Sequence, residues 1–152
     1  MARKQFELRA FRNALDAYLT TVGWTGLEFR EGFKSEKTIQ VPTVAIRFLP
    51  SNKEEMQIGG RGGEDLNRRV LQIDCYMETE DRAEAITDDC MDFIDFETVL
   101  IKDPSDNLLG TLICRDTNSI YSETLPPLLP DPKLKRWRGV IRATLESHYY
   151  AP

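Results

Sequence analysis

The sequence predicts an α+β domain: a mainly antiparallel β-sheet with two helices packed on one face. Three observations carry this. Residues 3–22 hold an apolar stripe at helical spacing. The run Arg69–Ile94 opens on strict alternation and then switches to steps of three and four, with no Gly or Pro between, which reads as a strand turning into a helix. Residues 135–147 alternate again, with apolar side chains on one face and arginines on the other. Antiparallel sheets with segregated helices are the usual outcome of such a pattern.

The first helix, Arg3 to Val22, presents Leu8, Phe11, Leu15, Tyr18, Leu19 and Val22 as its stripe, and Gly23 is a natural C-cap. Residues 24–37 form a connection in which Trp24, Leu27, Phe29 and Phe33 suggest a short irregular strand over the sheet's edge. In Ile39–Leu49, Val44, Ile46 and Phe48 alternate with Ala45 and Arg47, and Pro42 belongs at the strand's start or on an edge.

Ser51 to Arg68 is a long polar hairpin loop built around Gly59-Gly60-Arg61-Gly62-Gly63. Ordering such a cluster costs conformational entropy, so the loop is expected to order against a partner. It is not a phosphate cradle: there is no GK[ST], and a strand follows it, so no helix N-terminus is offered.

In the central unit, Leu71, Ile73, Cys75 and Met77 take the buried side of the strand, and Ala83, Ile86, Cys90 and Ile94 the buried side of the helix. Thr79 stands at the switch as N-cap, and Glu80 and Asp81 suit the positive end of the helix dipole. A short strand is expected at 99–101, a turn over Asp103–Asn107 and another strand at 108–115. Residues 122–132 carry four prolines and read as an extended crossing arm. In the last strand Trp137, Gly139, Ile141, Ala143 and Leu145 share the core face, with Arg136, Arg138 and Arg142 opposite.

At 152 residues the chain makes one domain, spanning 1–152. A chain of this size hides roughly 70% of its unfolded surface, enough for a real core. No apolar run approaches the roughly 20 residues that cross a bilayer, and the N-terminus has no apolar h-region. The three cysteines, with no CxxC, read as reduced core thiols in a cytosolic setting and not as a disulfide framework or zinc site.

The net charge of −5 is unevenly distributed. Glu78 to Asp106 holds eleven acids against two bases, whereas Lys133 to Arg142 holds five bases and no acid. Opposite blocks serve solubility or complementary contacts between copies. Catalysis is not expected, and no cofactor or metal is implied. The one histidine, His148, sits in a short terminal tail, Cys75 is on an apolar face, and Asp74, Glu78 and Glu84 match no ligand spacing. A nucleic-acid reading of the arginine face meets two objections: Trp137 alternates away from the arginines, and the chain has a sequence pI near 5.0.

The segment LQIDCYMETEDRAEAITDDCMDFI resembles the central strand and helix of tail terminator (tail completion) proteins of long-tailed bacteriophages. PTVAIRF and GVIRATLES are similar to strands in matching order in that family. The resemblance implies a structural virion protein of the tail or neck, assembled in the host cytoplasm. Such a protein forms a ring, usually a hexamer, that caps the tail tube, ends its polymerisation and joins it to the head. Its partners would be copies of itself, the tail tube protein, a neck or head-completion protein and the sheath where one exists, with DNA passing through without sequence specificity. No membrane partner is implied. The tube-contacting loop would fall on Met56, Ile58, Gly59, Gly60, Arg61, Gly62, Gly63 and Arg68. The long glycine loop and the Pro-rich arm depart from simpler members and leave a sister neck or connector role open. Asp88, Asp89 and Asp92 of one copy are expected to pair with Arg136, Arg138 and Arg142 of the next, unless those arginines line the channel. The alternative is a non-viral adaptor that binds nucleic acid or an acidic partner through the arginine strand.

Overall fold

Two strands of thirteen residues, Asp65–Met77 (β3) and Trp137–Tyr149 (β7), pair antiparallel along their whole length and form the spine of the molecule. The computed structural model describes residues 3–31, 41–49, 65–114, 120–127 and 137–150. The chain runs from helix α1 (Arg3–Thr21) through the short strand β1 (Glu28–Glu31) and β2 (Thr43–Phe48) into β3. Helix α2 (Glu80–Phe96), β4 (Val99–Lys102), β5 (Leu108–Ile113) and β6 (Tyr121–Leu125) follow, and β7 closes the sheet. The order is β1-β2-β3-β7-β5-β4, and β1–β2 is the parallel pair. One side of β7 serves two neighbours: β6 along Arg138–Arg142 and β5 along Glu146–Tyr149.

Both helices cover the same face. Phe11, Leu15 and Leu19 of α1 and Ile86, Cys90 and Phe93 of α2 join Val44, Ile46, Leu71, Ile73, Cys75, Ile141 and Ala143 in one core. Phe11 and Phe93 meet edge to face, with centroids 5.4 Å apart. Gly139 lets α2 approach the sheet closely: a Cβ there would lie 2.2 Å from Thr87 Oγ1. At one end of this face Arg69 donates to Glu7 Oε2 at 2.6 Å, tying β3 to α1, and Glu7 is fully buried.

Local signals act as their chemistry dictates. The Trp24 N–H returns to the Leu19 carbonyl at 2.9 Å around Gly23, whose φ of 108° favours glycine. Thr79 Oγ1 accepts from the Arg82 N–H at 3.3 Å and caps α2. Asp103 Oδ1 accepts from the N–H groups of Ser105 and Asn107, both at 2.9 Å, and closes the β4–β5 turn. Those bonds, with that from the Asn107 side chain, hold the Asp103 carboxyl below its usual range. No helix among the described residues is long and apolar enough to cross a membrane.

Four expectations change. β3 begins at Asp65, so Arg68 belongs to a strand and not to the hairpin loop. The front of the expected Pro-rich arm is β6, because residues 121–125 precede the first proline and keep every N–H for pairing. The tail from His148 is not loose, since β7 runs on to Tyr149, held by β3 on one side and β5 on the other. The central strand is buried on both faces: Gln72, Asp74 and Tyr76 are 1% exposed, like their apolar neighbours. Loop residues Met56, Ile58, Gly59, Gly60, Arg61, Gly62 and Gly63, the arm beyond Pro127, and Arg136 lie outside the described residues.

Candidate functional site

Alternation places Gln72 and Asp74 of β3 and Arg138 and Arg142 of β7 on the face away from the helices, and register sets Gln72 opposite Arg142 and Asp74 opposite Val140, diagonal to Arg138. They form one polar ladder. Arg138 donates from Nη2 and Nε to Asp74 Oδ1 at 2.8 and 3.1 Å. Gln72 Nε2 donates to Asp74 Oδ2 at 3.0 Å, and Gln72 Oε1 accepts from Arg142 Nε at 3.0 Å. The carboxylate is buried, so the charge survives only because it is paired and hydrogen-bonded.

The sequence reading sent these arginines to solvent, nucleic acid or a neighbour's acids. The partner of Arg138 is instead on the adjacent strand of its own sheet. The missed signal is present in the sequence: Asp74 and Arg138 both fall on the non-core parity of long apolar strands, and such strands pair in a small sheet. Arg142 remains exposed beyond its bond to Gln72, across from Tyr121 in β6. The Tyr121 hydroxyl donates to Glu123 at 2.6 Å, and that bond, ahead of desolvation, raises its pKa. Arg68 is exposed on β3, 3.4 Å from Glu146 of β7.

The acids of α2 divide as well. Trp24 Nε1 donates to Asp89 Oδ2 at 2.7 Å, which fixes the α1–β1 connection onto α2, and Arg82 lies over the same indole. Asp88 and Asp92 stay exposed. Tyr18 packs on Phe93 beside this surface, and desolvation, then Asp92 and Asp89, push its hydroxyl pKa up. Asp88 also borders a polar cleft of about 420 Å³ between α2 and β6, with Glu80, Glu84 and Glu123 around it. Of the six residues expected at a subunit contact, Asp88, Asp92 and Arg142 are therefore exposed, while Asp89 and Arg138 have intrachain partners.

Among the described residues no three His, Cys, Asp or Glu side chains are gathered as a metal would need. Asp74 is turned to Arg138 and does not meet Glu84. The three cysteines are buried and form no disulfide. A hydrogen bond with Cys90, then burial, pushes the Cys75 thiol well above its ordinary pKa, which suppresses nucleophilic thiolate.

No protein-family model matches the chain, and no curated protein matches it. Chains of known structure do match. One superposes with a TM-score of 0.53 over 95% of this chain and 97% of its own length, at 12% identity. At that identity the likeness shows the fold alone.

Proposed function

We propose that this protein is a structural subunit that assembles into a closed ring, in the manner of a phage tail terminator or a related neck protein. It is not an enzyme in this reading. The observation that carries it is the placement of opposite charge. Asp88 and Asp92 are exposed on the helix-bearing side, and Arg142 is exposed on the opposite side of the sheet. One subunit cannot bring these patches together. A head-to-tail contact between copies can, and a closed ring needs such a heterologous interface. The resemblance of the strand–helix unit supports the tail or neck setting. A ring, hexameric by analogy, would cap the tube, end polymerisation and offer a joint to the head.

The test is sedimentation and negative-stain electron microscopy of the purified chain at low and high salt. Rings are expected, with a mass that falls when Arg142→Glu is introduced and recovers when Asp88→Lys and Asp92→Lys are added. A monomer at every concentration and salt overturns the ring. A ring untouched by Arg142→Glu overturns the charge contact and leaves Arg142 to the channel, beside DNA phosphates. Arg138 is unsuitable for this test, because reversing it would leave the buried Asp74 unpaired.

A further inference from the structure

A second surface has the build of a peptide groove. The strand β4 ends the sheet, and among the described residues it pairs with β5 alone. Its other edge borders a cleft of about 550 Å³ whose opposite wall is α1. That volume falls within the roughly 300–1,000 Å³ of known ligand clefts. The cleft touches Thr98, Val99 and Leu100 in succession. Successive strand residues point to opposite faces, so a cleft that meets all three runs along the backbone edge and not over one face. Its α1 wall includes Ala10 and Ala14, side chains short enough to let another backbone approach.

The charges at the groove are unequal in availability. Asp103 is taken up by its own turn, and Lys102 lies 3.4 Å from Asp106. Arg9, exposed on the α1 wall, makes no hydrogen bond or ion pair among the described residues.

We propose that this groove binds an extended segment of a different protein as an added strand on β4, with alternate apolar side chains packed toward α1 and one carboxylate on Arg9. Strand addition supplies main-chain hydrogen bonds from an edge that otherwise invites non-specific pairing. A second copy of this chain fits less well. Of the other edge strands among the described residues, β1 carries Glu28 and Glu31, which Arg30 and Arg12 already hold, and β6 carries Glu123, which already accepts from the Tyr121 hydroxyl. The inference stands apart from the ring reading, since it uses neither the α2 acids nor Arg142.

The experiment titrates the full chain, 15N-labelled, with two capped heptapeptides that alternate valine and threonine around a central glutamate or a central lysine. Amides of 6–14 and 98–102 should shift with the glutamate peptide, and it should bind about ten-fold tighter than the lysine peptide. Arg9→Glu should invert that preference, and Asn13→Trp, at an exposed position of the same wall, should abolish binding while leaving the melting temperature nearly unchanged. Absence of binding, shifts elsewhere, or undiminished binding to Asn13→Trp overturns the proposal. So does a lower sedimenting mass of the free protein with Asn13→Trp, which would mean that another copy fills the groove.

Discussion

Replacing Asp74 with Ala tests whether the ladder on the far face is part of the scaffold. The substitution removes two bonds from Arg138 and the bifurcated bond from Gln72 Nε2 to both carboxylate oxygens, all between 2.8 and 3.2 Å. Truncating one member of a buried pair costs about 3–5 kcal/mol, because the other charge is left without compensation. Arg138 keeps 20% of its side chain exposed and can partly resolvate, which places the loss near the lower limit, about 3 kcal/mol. With a urea m-value of about 2 kcal/mol/M, the midpoint falls by roughly 1.5 M. Far-UV circular dichroism reads it directly. The double variant Asp74→Val with Arg138→Met should regain most of that loss, since apolar replacements of both partners leave no orphan charge. A cost under about 0.5 kcal/mol for Asp74→Ala, or a double variant no better than the sum of its singles, refutes the assignment.

Two further outcomes follow from packing and titration. Gly139→Ala forces a methyl group to within 2.2 Å of Thr87 Oγ1, and should cost about 1–3 kcal/mol in the same urea assay, partly relieved by Thr87→Ala. Cys75 should resist a thiol reagent until the chain unfolds. Its raised folded pKa means that its contribution is fully present below the ordinary thiol value and is lost as pH rises from there toward the folded value, a trend that Cys75→Ala should weaken.

The elements most legible in the sequence were those fixed by short-range physics. The switch from strand to helix at Thr79, the stripe of α1 and the faces of β7 all follow from periodicity and capping, and all are present. What sequence could not give is lateral order. Whether Arg138 meets water or Asp74 depends on which strand lies beside β7 and in what register, a non-local fact. β6 was hidden for a related reason: the prolines that follow it dominate the local pattern, yet residues 121–125 find an unused stretch of β7 between β5 and the strand's start. Of the candidate contact residues, exposure separates Asp88, Asp92 and Arg142 from Asp89 and Arg138, and only tertiary structure sets exposure.

Two of the sheet's edges, β1 and β4, sharpen where further contacts belong. An open edge is tolerated when charge or covering elements blunt it. β1 meets that condition: its sequence is Glu-Phe-Arg-Glu, its acids hold ion pairs, and one of them ties back to Arg12 of α1. β4 is blunted only at its end, where Lys102 lies 3.4 Å from Asp106: it reads Val-Leu-Ile-Lys, Leu100 is 50% exposed, and Phe96, 77% exposed, ends the helix just before it. A chain with 30% charged residues has charge available for such an edge, so leaving apolar side chains there argues for an occupant. An assembly built through α2 and Arg142 alone would leave this edge unaddressed. The two proposals, charge between copies and strand addition at β4, use different surfaces of one subunit, so each can be tested without disturbing the other.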